Sequence, residues 1–368
     1  MATTWDTLDR YIVISTDTHA GADLYGYKPY LPARLHDEFD AWAKAYASPF
    51  DDLIVATANR NWDHVLRIAE MDADGVAAEV LFPQASGFGG GPFVTTEGDP
   101  ELRLACIRAY NDYLAEEWAG ASPRFVAQCL LPMWDVEEAV REARRARSLG
   151  HRAVVWTAAP QSHGFPHLND AHWDPLWSTL QELAMPVALH IGSAKTSVDL
   201  WEGYGFFSRL AMVSVNAISG NLQLIANLLF SGILERFPEL RFLSVESGLG
   251  WVPYLLETAD HQYEVQHLWD EGMSMRPSEY FRRQIYVNFW FERSGIELRH
   301  MIGLDNIMWE ADFPHPTSTY PHSRKAIETS LAGVPPEQQR KLLQSNAERV
   351  FGIAVDPSTM PDTVRYRV

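Results

Sequence analysis

Eight short apolar runs, spread over almost the whole 368-residue chain and separated by helical patterns, constrain the fold more than any other feature. They cover residues 11–17, 76–83, 125–132, 153–158, 186–192, 241–247, 285–291 and 307–312 and are rich in β-branched side chains. Helical patterns at 136–149, 172–183, 215–236 and 322–333 lie between or after them. Strands alternating with helices specify βα units and a parallel sheet. Eight such units close most simply into a (β/α)8 TIM barrel of the α/β class, in which chemistry sits at the C-terminal ends of the strands. A chain that is 46% hydrophobic can bury a large core. No repeat, low-complexity tract or Pro/Ser linker divides it, so residues 1–368 read as one barrel domain. Two insertions interrupt the pattern, at about 22–60 and 193–212, and the second carries Trp201, Tyr204, Phe206 and Phe207. Long aromatic loops on the catalytic face form lids or partner contacts.

The strand ends carry the chemistry. The first run, Tyr11-Ile-Val-Ile-Ser-Thr-Asp17-Thr-His19, ends on a carboxylate and an imidazole two positions apart, on one side of a strand. The last, Ile307-Met-Trp-Glu-Ala-Asp312-Phe-Pro-His315, does the same. His190 closes the fifth run, Glu246 the sixth, Glu292 follows the seventh and Glu79 lies in the second. One such histidine would read as a satisfied core residue; several acidic and imidazole groups converging on one barrel mouth call for a cation. Other candidates are weaker. Gly87-Phe-Gly-Gly-Gly91 lacks the lysine of a phosphate loop. His163, His167 and His172 read as solvent-exposed loop residues, and His322 follows the last strand closely enough to line the pocket. Cys106 and Cys129 lie in apolar runs without metal or redox spacing and read as core.

A net charge of −18 excludes nucleic acid and anionic membranes as partners. The amino terminus has neither a basic n-region nor an apolar h-region, and no window reaches the length of a membrane span, so a cytoplasmic protein is expected.

Six segments in order resemble the amidohydrolase-related family of metal-dependent (β/α)8 barrels, in the branch that includes aromatic-acid decarboxylases. They are Ser15-Thr-Asp17-Thr-His19-Ala-Gly, Asp74-Gly-Val-Ala-Ala-Glu79-Val-Leu-Phe-Pro83, Met185-Pro-Val-Ala-Leu-His190, Glu246-Ser-Gly-Leu-Gly-Trp-Val-Pro253, Met308-Trp-Glu-Ala-Asp312-Phe-Pro-His315 and Ser345-Asn-Ala-Glu-Arg-Val-Phe-Gly352. The resemblance implies that His19, His190 and Asp312 are metal ligands. It also marks two departures: Asp17 stands where the first of a His-x-His pair would be, and Glu246 replaces a histidine on the sixth strand.

Counting carboxylates, the ligand set Asp17, His19, Glu79, His190, Glu246, Asp312 and His315 is oxygen-rich, which suits iron or manganese better than zinc. A second ion held by Glu79, Glu246 and His315 and bridged by Asp17 or Asp312 would account for the excess; Glu79 and Glu292 could instead orient other ligands. The favoured expectation is a dinuclear Fe/Mn monooxygenase supplied by a redox partner protein, with Trp290 and Phe313 shielding the oxidant. Its alternatives are a zinc-type hydrolase of an amide, ester or lactone, or a decarboxylase of an aromatic hydroxy acid, with Glu246, Asp312 and His315 as catalytic acids and bases. A non-catalytic subunit of a hetero-oligomer is the reading from another class. In each catalytic case the substrate is a small molecule, and a homo- or hetero-oligomer is expected.

Overall fold

The computed structural model describes residues 10–45, 60–83, 99–157, 159–192, 203–356 and 360–367. Ten strands appear in chain order: β1 (Arg10–Ile12), β2 (Ile14–Ala20), β3 (Ala78–Pro83), β4 (Phe125–Cys129), β5 (Ala153–Trp156), β6 (Val187–His190), β7 (Phe242–Val245), β8 (Ile285–Phe289), β9 (Ile307–Trp309) and β10 (Arg365–Arg367). Strands β2 to β9 form one sheet in sequence order, each pair parallel. The sheet closes between its first and last members. Thr18 bridges Phe313 in parallel, the His19 N–H donates to the Phe313 carbonyl at 2.7 Å, and the Asp312 N–H donates to the Asp17 carbonyl at 3.0 Å. This is the expected (β/α)8 barrel, with every predicted run supplying a barrel strand. The small antiparallel pair of β1 and β10 lies outside the barrel sheet.

Period-two alternation sorts the strand residues. Ile14, Val80, Val126, Ala188, Leu243 and Met308 form an interior cluster, whereas Val13, Leu81, Ala127, Leu189, Phe242 and Trp309 belong to the larger core beneath the helices. Two helices begin and stop where the sequence supplies caps. Asp135 accepts from the Glu138 N–H and Gly150 ends helix Val136–Leu149 with φ +107°, matching the bounds predicted for it. Asp63 and Gly75 do the same for helix His64–Asp74.

Two expectations about the insertions change. Helix Phe206–Phe230 starts nine residues before the predicted 215, so Phe206 and Phe207 open a helix rather than a lid loop. Apolar residues run without a breaker from Phe206 into the predicted helix, and nothing local stops it earlier. Among its described residues the first insertion holds helix His36–Ala45 and the 3-10 turns Leu24–Tyr30 and Ala33–Leu35. Trp201 and the Gly87–Gly91 stretch lie outside the described residues. No helix among the described residues is long and apolar enough to cross a membrane.

Candidate metal centre

Asp17 and His19 reach the barrel interior because β2 is irregular. Ile14 faces inward, so strict alternation would turn Thr16 and Thr18 inward and Asp17 outward. The register with β3 shifts between Ser15 and Thr18, a bulge that reverses the parity. Hydroxyls hold it: Ser15 Oγ donates to the Asp17 carbonyl at 2.9 Å and accepts the Ala311 N–H at 2.8 Å. Thr16 and Thr18 donate to the Trp309 and Val80 carbonyls at 2.9 and 3.0 Å.

His190 follows the inward parity of Ala188 on β6, and Asp312 that of Met308 on β9. Glu246 does not follow its strand, since Val245 already faces inward. A left-handed backbone at Glu246, φ +56°, turns the side chain back, and Asp312 shares that conformation. Asn221, on helix Phe206–Phe230, ties the ends of β6 and β7 by donating to the Leu189 and Val245 carbonyls at 3.1 and 3.2 Å.

The result is a compact cluster. His19 Nε2 lies 3.7 Å from Asp17 Oδ1 and 3.5 Å from Asp312 Oδ1; His190 Nε2 lies 3.5 Å from Asp17 Oδ2 and 3.2 Å from Glu246 Oε2. His315 Nδ1 is 2.8 Å from Asp312 Oδ1, and its ring stacks on His19 at 4.0 Å. Asp17 and Asp312 are wholly buried, while the His315 side chain is 27% exposed, which places His315 towards the mouth.

Each inner imidazole has a defined tautomer. His19 Nδ1 is 2.9 Å from the Pro83 carbonyl and His190 Nδ1 is 2.9 Å from that of Ile191. A carbonyl only accepts, so Nδ1 carries the proton and the Nε2 lone pair points into the cluster. Among the described residues, both Asp17 oxygens and the two Nε2 atoms are buried without a hydrogen-bond partner, and Asp312 Oδ1 is approached only by the imidazoles of His19 and His315. Acceptors gathered without a donor are unfavourable in a protein interior unless a cation answers them. The donor set therefore fits a divalent metal ion. Two groups of four could hold one, Asp17 with His19, His190 and Glu246, and His19 with Glu246, Asp312 and His315. They share His19 and Glu246, and the single inward lone pair of His19 serves one ion.

Electrostatics follow from burial and neighbours. Burial would push the Asp312 carboxyl up, but the neighbouring His315 and His19 imidazoles hold it well below the usual range. Burial, then His315, lowers His19. For His190 and His315 burial is outweighed by Asp17 and Asp312 respectively, and both are raised. Glu246 is raised well above a normal carboxylate, by burial and then by Asp312, Asp17 and Glu310.

Several expected residues stand apart. Glu79 points away from the cluster: three residues before the inward Phe82, it faces the helices and pairs with Arg67 at 2.8 Å. Glu292 accepts the Leu249 and Trp290 N–H groups at 3.0 and 3.1 Å, a loop brace. Phe313 packs behind the site on Tyr320, ring centroids 4.7 Å apart. His322 is exposed and immediately precedes helix Ser323–Ser330. His167 and His172 are exposed and Cys106 and Cys129 buried, as expected; His163 is half-buried. Sequence reasoning passed over Glu310, fully buried two residues before Asp312, whose Oε2 accepts the Glu246 N–H at 3.2 Å. The two-residue step to Asp312 was a usable signal.

A family model described as Amidohydrolase matches residues 17–353. The chain belongs to the amidohydrolase family. Gamma-resorcylate decarboxylase of Polaromonas sp. strain JS666 is 25% identical over 304 residues, 77% of this chain and 86% of that protein. Among solved structures, 5-carboxyvanillate decarboxylase LigW of Sphingomonas paucimobilis superposes with a TM-score of 0.70 at 20% identity, covering 94% of this chain and all of that one. A dihydroxybenzoic acid decarboxylase of Polaromonas sp. JS666, solved with bound manganese and the inhibitor 2-nitroresorcinol, gives 0.64 at 20% identity over 93% of this chain and 97% of its own. All three are decarboxylases and none is an oxygenase. The carboxylate excess that favoured an oxygenase shrinks once Glu79 and Glu292 are seen to be engaged elsewhere.

Proposed function

We infer that this chain is a divalent-metal-dependent, non-oxidative decarboxylase of a small hydroxylated aromatic acid or a similarly conjugated carboxylic acid. The observation that carries this reading is the set of buried acceptors of Asp17, His19 and His190, partnerless among the described residues, beside Asp312 with His315 above it. The decarboxylase relatives, one of them a manganese protein, support the reaction class and the metal.

Asp17, His19, His190 and Asp312, which approach one another through their inward atoms, would hold the ion, with Glu246 beside it. An ion bound there would supply positive charge that favours an acidic, hydroxylated substrate. His315 is placed to move the proton. Its Nδ1 is engaged by Asp312, and Nε2 carries a proton to the ring carbon that bears the carboxylate. The carbon–carbon bond then breaks, its electron pair returns to the ring and carbon dioxide leaves, so one proton is consumed for each carboxylate released. Phe82, whose ring centroid lies 5.0 Å from that of His190, gives this wall of the site an apolar surface.

The test is carbon dioxide release from a panel including 2,6-dihydroxybenzoate and 5-carboxyvanillate by manganese-loaded protein under anaerobic conditions. Turnover without dioxygen is expected. Turnover that needs dioxygen and a reductase would overturn the reading in favour of the oxygenase, and hydrolysis of esters or lactones with no decarboxylation would return it to the hydrolase class.

A further inference from the structure

Arg67, on helix His64–Asp74, is 0% exposed although its charge cannot be shed. Its guanidinium reaches four groups, two of them, His19 and Phe313, at the seam where the barrel closes. Nη1 is 2.8 Å from Glu79 Oε2 on β3. Nη2 donates to the His19 carbonyl, and Nη2 and Nε both donate to the Arg60 carbonyl, at 3.1 and 3.3 Å. The guanidinium carbon lies 4.3 Å from the centroid of Phe313, the residue after Asp312, whose own carbonyl accepts the His19 N–H. A cavity of about 10 Å³, room for about one water molecule, is lined by Arg67, Glu79, Asp74, Ala311, Phe313 and Tyr320. No other side chain among the described residues donates to the His19 carbonyl.

We propose that Arg67, with Glu79 as its counter-ion, is a positioning residue for the metal centre: it grips the outer side of the seam and so sets where His19 and Asp312 stand inside. The proposal rests on the metal-centre reading above. Arg67 touches the backbone of one candidate ligand and the ring adjoining the other, so its removal would let both move relative to Asp17 and His190. Outer partners of metal ligands act in this way by fixing orientation. The planar fork matters as well as the charge, because a lysine offers one point charge and cannot serve Glu79, His19 and Arg60 together.

A buried ion pair could also serve stability alone, and a double substitution separates the two roles. Removing one partner strands a buried charge, whereas replacing both with apolar residues of similar volume does not. Manganese affinity, by equilibrium dialysis with elemental analysis, and the melting temperature of the metal-free protein are measured for wild type, Arg67→Lys, Glu79→Gln and Arg67→Met/Glu79→Leu. The double variant is expected to melt near wild type yet bind manganese about tenfold or more weakly. Arg67→Lys should show a similar loss, and Glu79→Gln, which keeps the donor to His19, should bind close to wild type. Full affinity in the double variant, or in Arg67→Lys if the double variant does not fold, overturns the clamp while leaving the metal centre intact. A wild-type chain that takes up no manganese overturns the metal centre, and the clamp with it.

Discussion

Glu246 and Asp312 combine a buried carboxylate with a left-handed backbone, a pairing that costs on the order of 1–3 kcal/mol at each non-glycine residue and persists only where the surroundings impose it. Here they do: the Asp312 N–H is held by the Asp17 carbonyl and the Glu246 N–H by Glu310. Strain stored at two neighbouring positions of one site marks function. Glu246→Gly, which relieves the backbone and removes a carboxyl crowded by Asp17, Asp312 and Glu310, is expected to raise the melting temperature of metal-free protein while weakening manganese binding; a fall in both would contradict the strain argument. His315→Gln keeps a polar side chain but cannot carry the proton. It should retain manganese and lose about 10²- to 10⁴-fold in kcat, measured as anaerobic carbon dioxide release. The raised His315 predicts the pH trend. A group that must be protonated works below its raised pKa, so kcat should fall as pH rises through it, and His315→Gln should abolish that limb of the profile.

At the scale of elements, the irregular strand β2 does what a regular strand could not. Strict alternation from Ile14 would have sent Asp17 and His19 to the helix side, where their charge would have faced the apolar core. The bulge depends on Ser15, which donates to one carbonyl and receives the Ala311 N–H. Ser15→Ala leaves that buried N–H without an acceptor and should cost about 1–3 kcal/mol in chemical denaturation. Manganese affinity should drop with it, because the parity of both inward ligands depends on the same turn of chain. Asn221 braces the ends of β6 and β7 in a related way from a helix packed outside them.

Across the whole molecule, residues far apart in the chain meet because the sheet closes: the Asp17–Asp312 backbone hydrogen bond joins the first and last barrel strands. An ion bridging those strands would strengthen that closure. Chelation should therefore lower stability by about 2.7 kcal/mol relative to protein at free metal about a hundredfold above Kd. Thermal melts with and without a chelator, restored by added manganese, check this; identical melts would argue that the cluster holds no ion. Of the carboxylates that pointed to two ions, Glu79 drops out at this scale, since the closed barrel puts it outside its wall.

Much was legible in the amino-acid order alone. Eight apolar runs alternating with helical patterns imply the barrel because strand and helix periodicities are local, and His19, His190 and Asp312 stand out because ligand-type residues at the ends of apolar strands are visible without coordinates. The family resemblance was carried by the same local segments. Other features were not legible. The β2 bulge and the left-handed turn at Glu246 decide which way side chains face, and they are imposed by contacts with Trp309, Ala311, Val80 and Glu310 elsewhere in the chain. That Glu79 serves Arg67 rather than an ion depends on a helix packing over the strand's outer face. Sequence determined which residues were available at the barrel mouth; tertiary structure decided which of them converge, because inward or outward orientation reverses with a single residue of register.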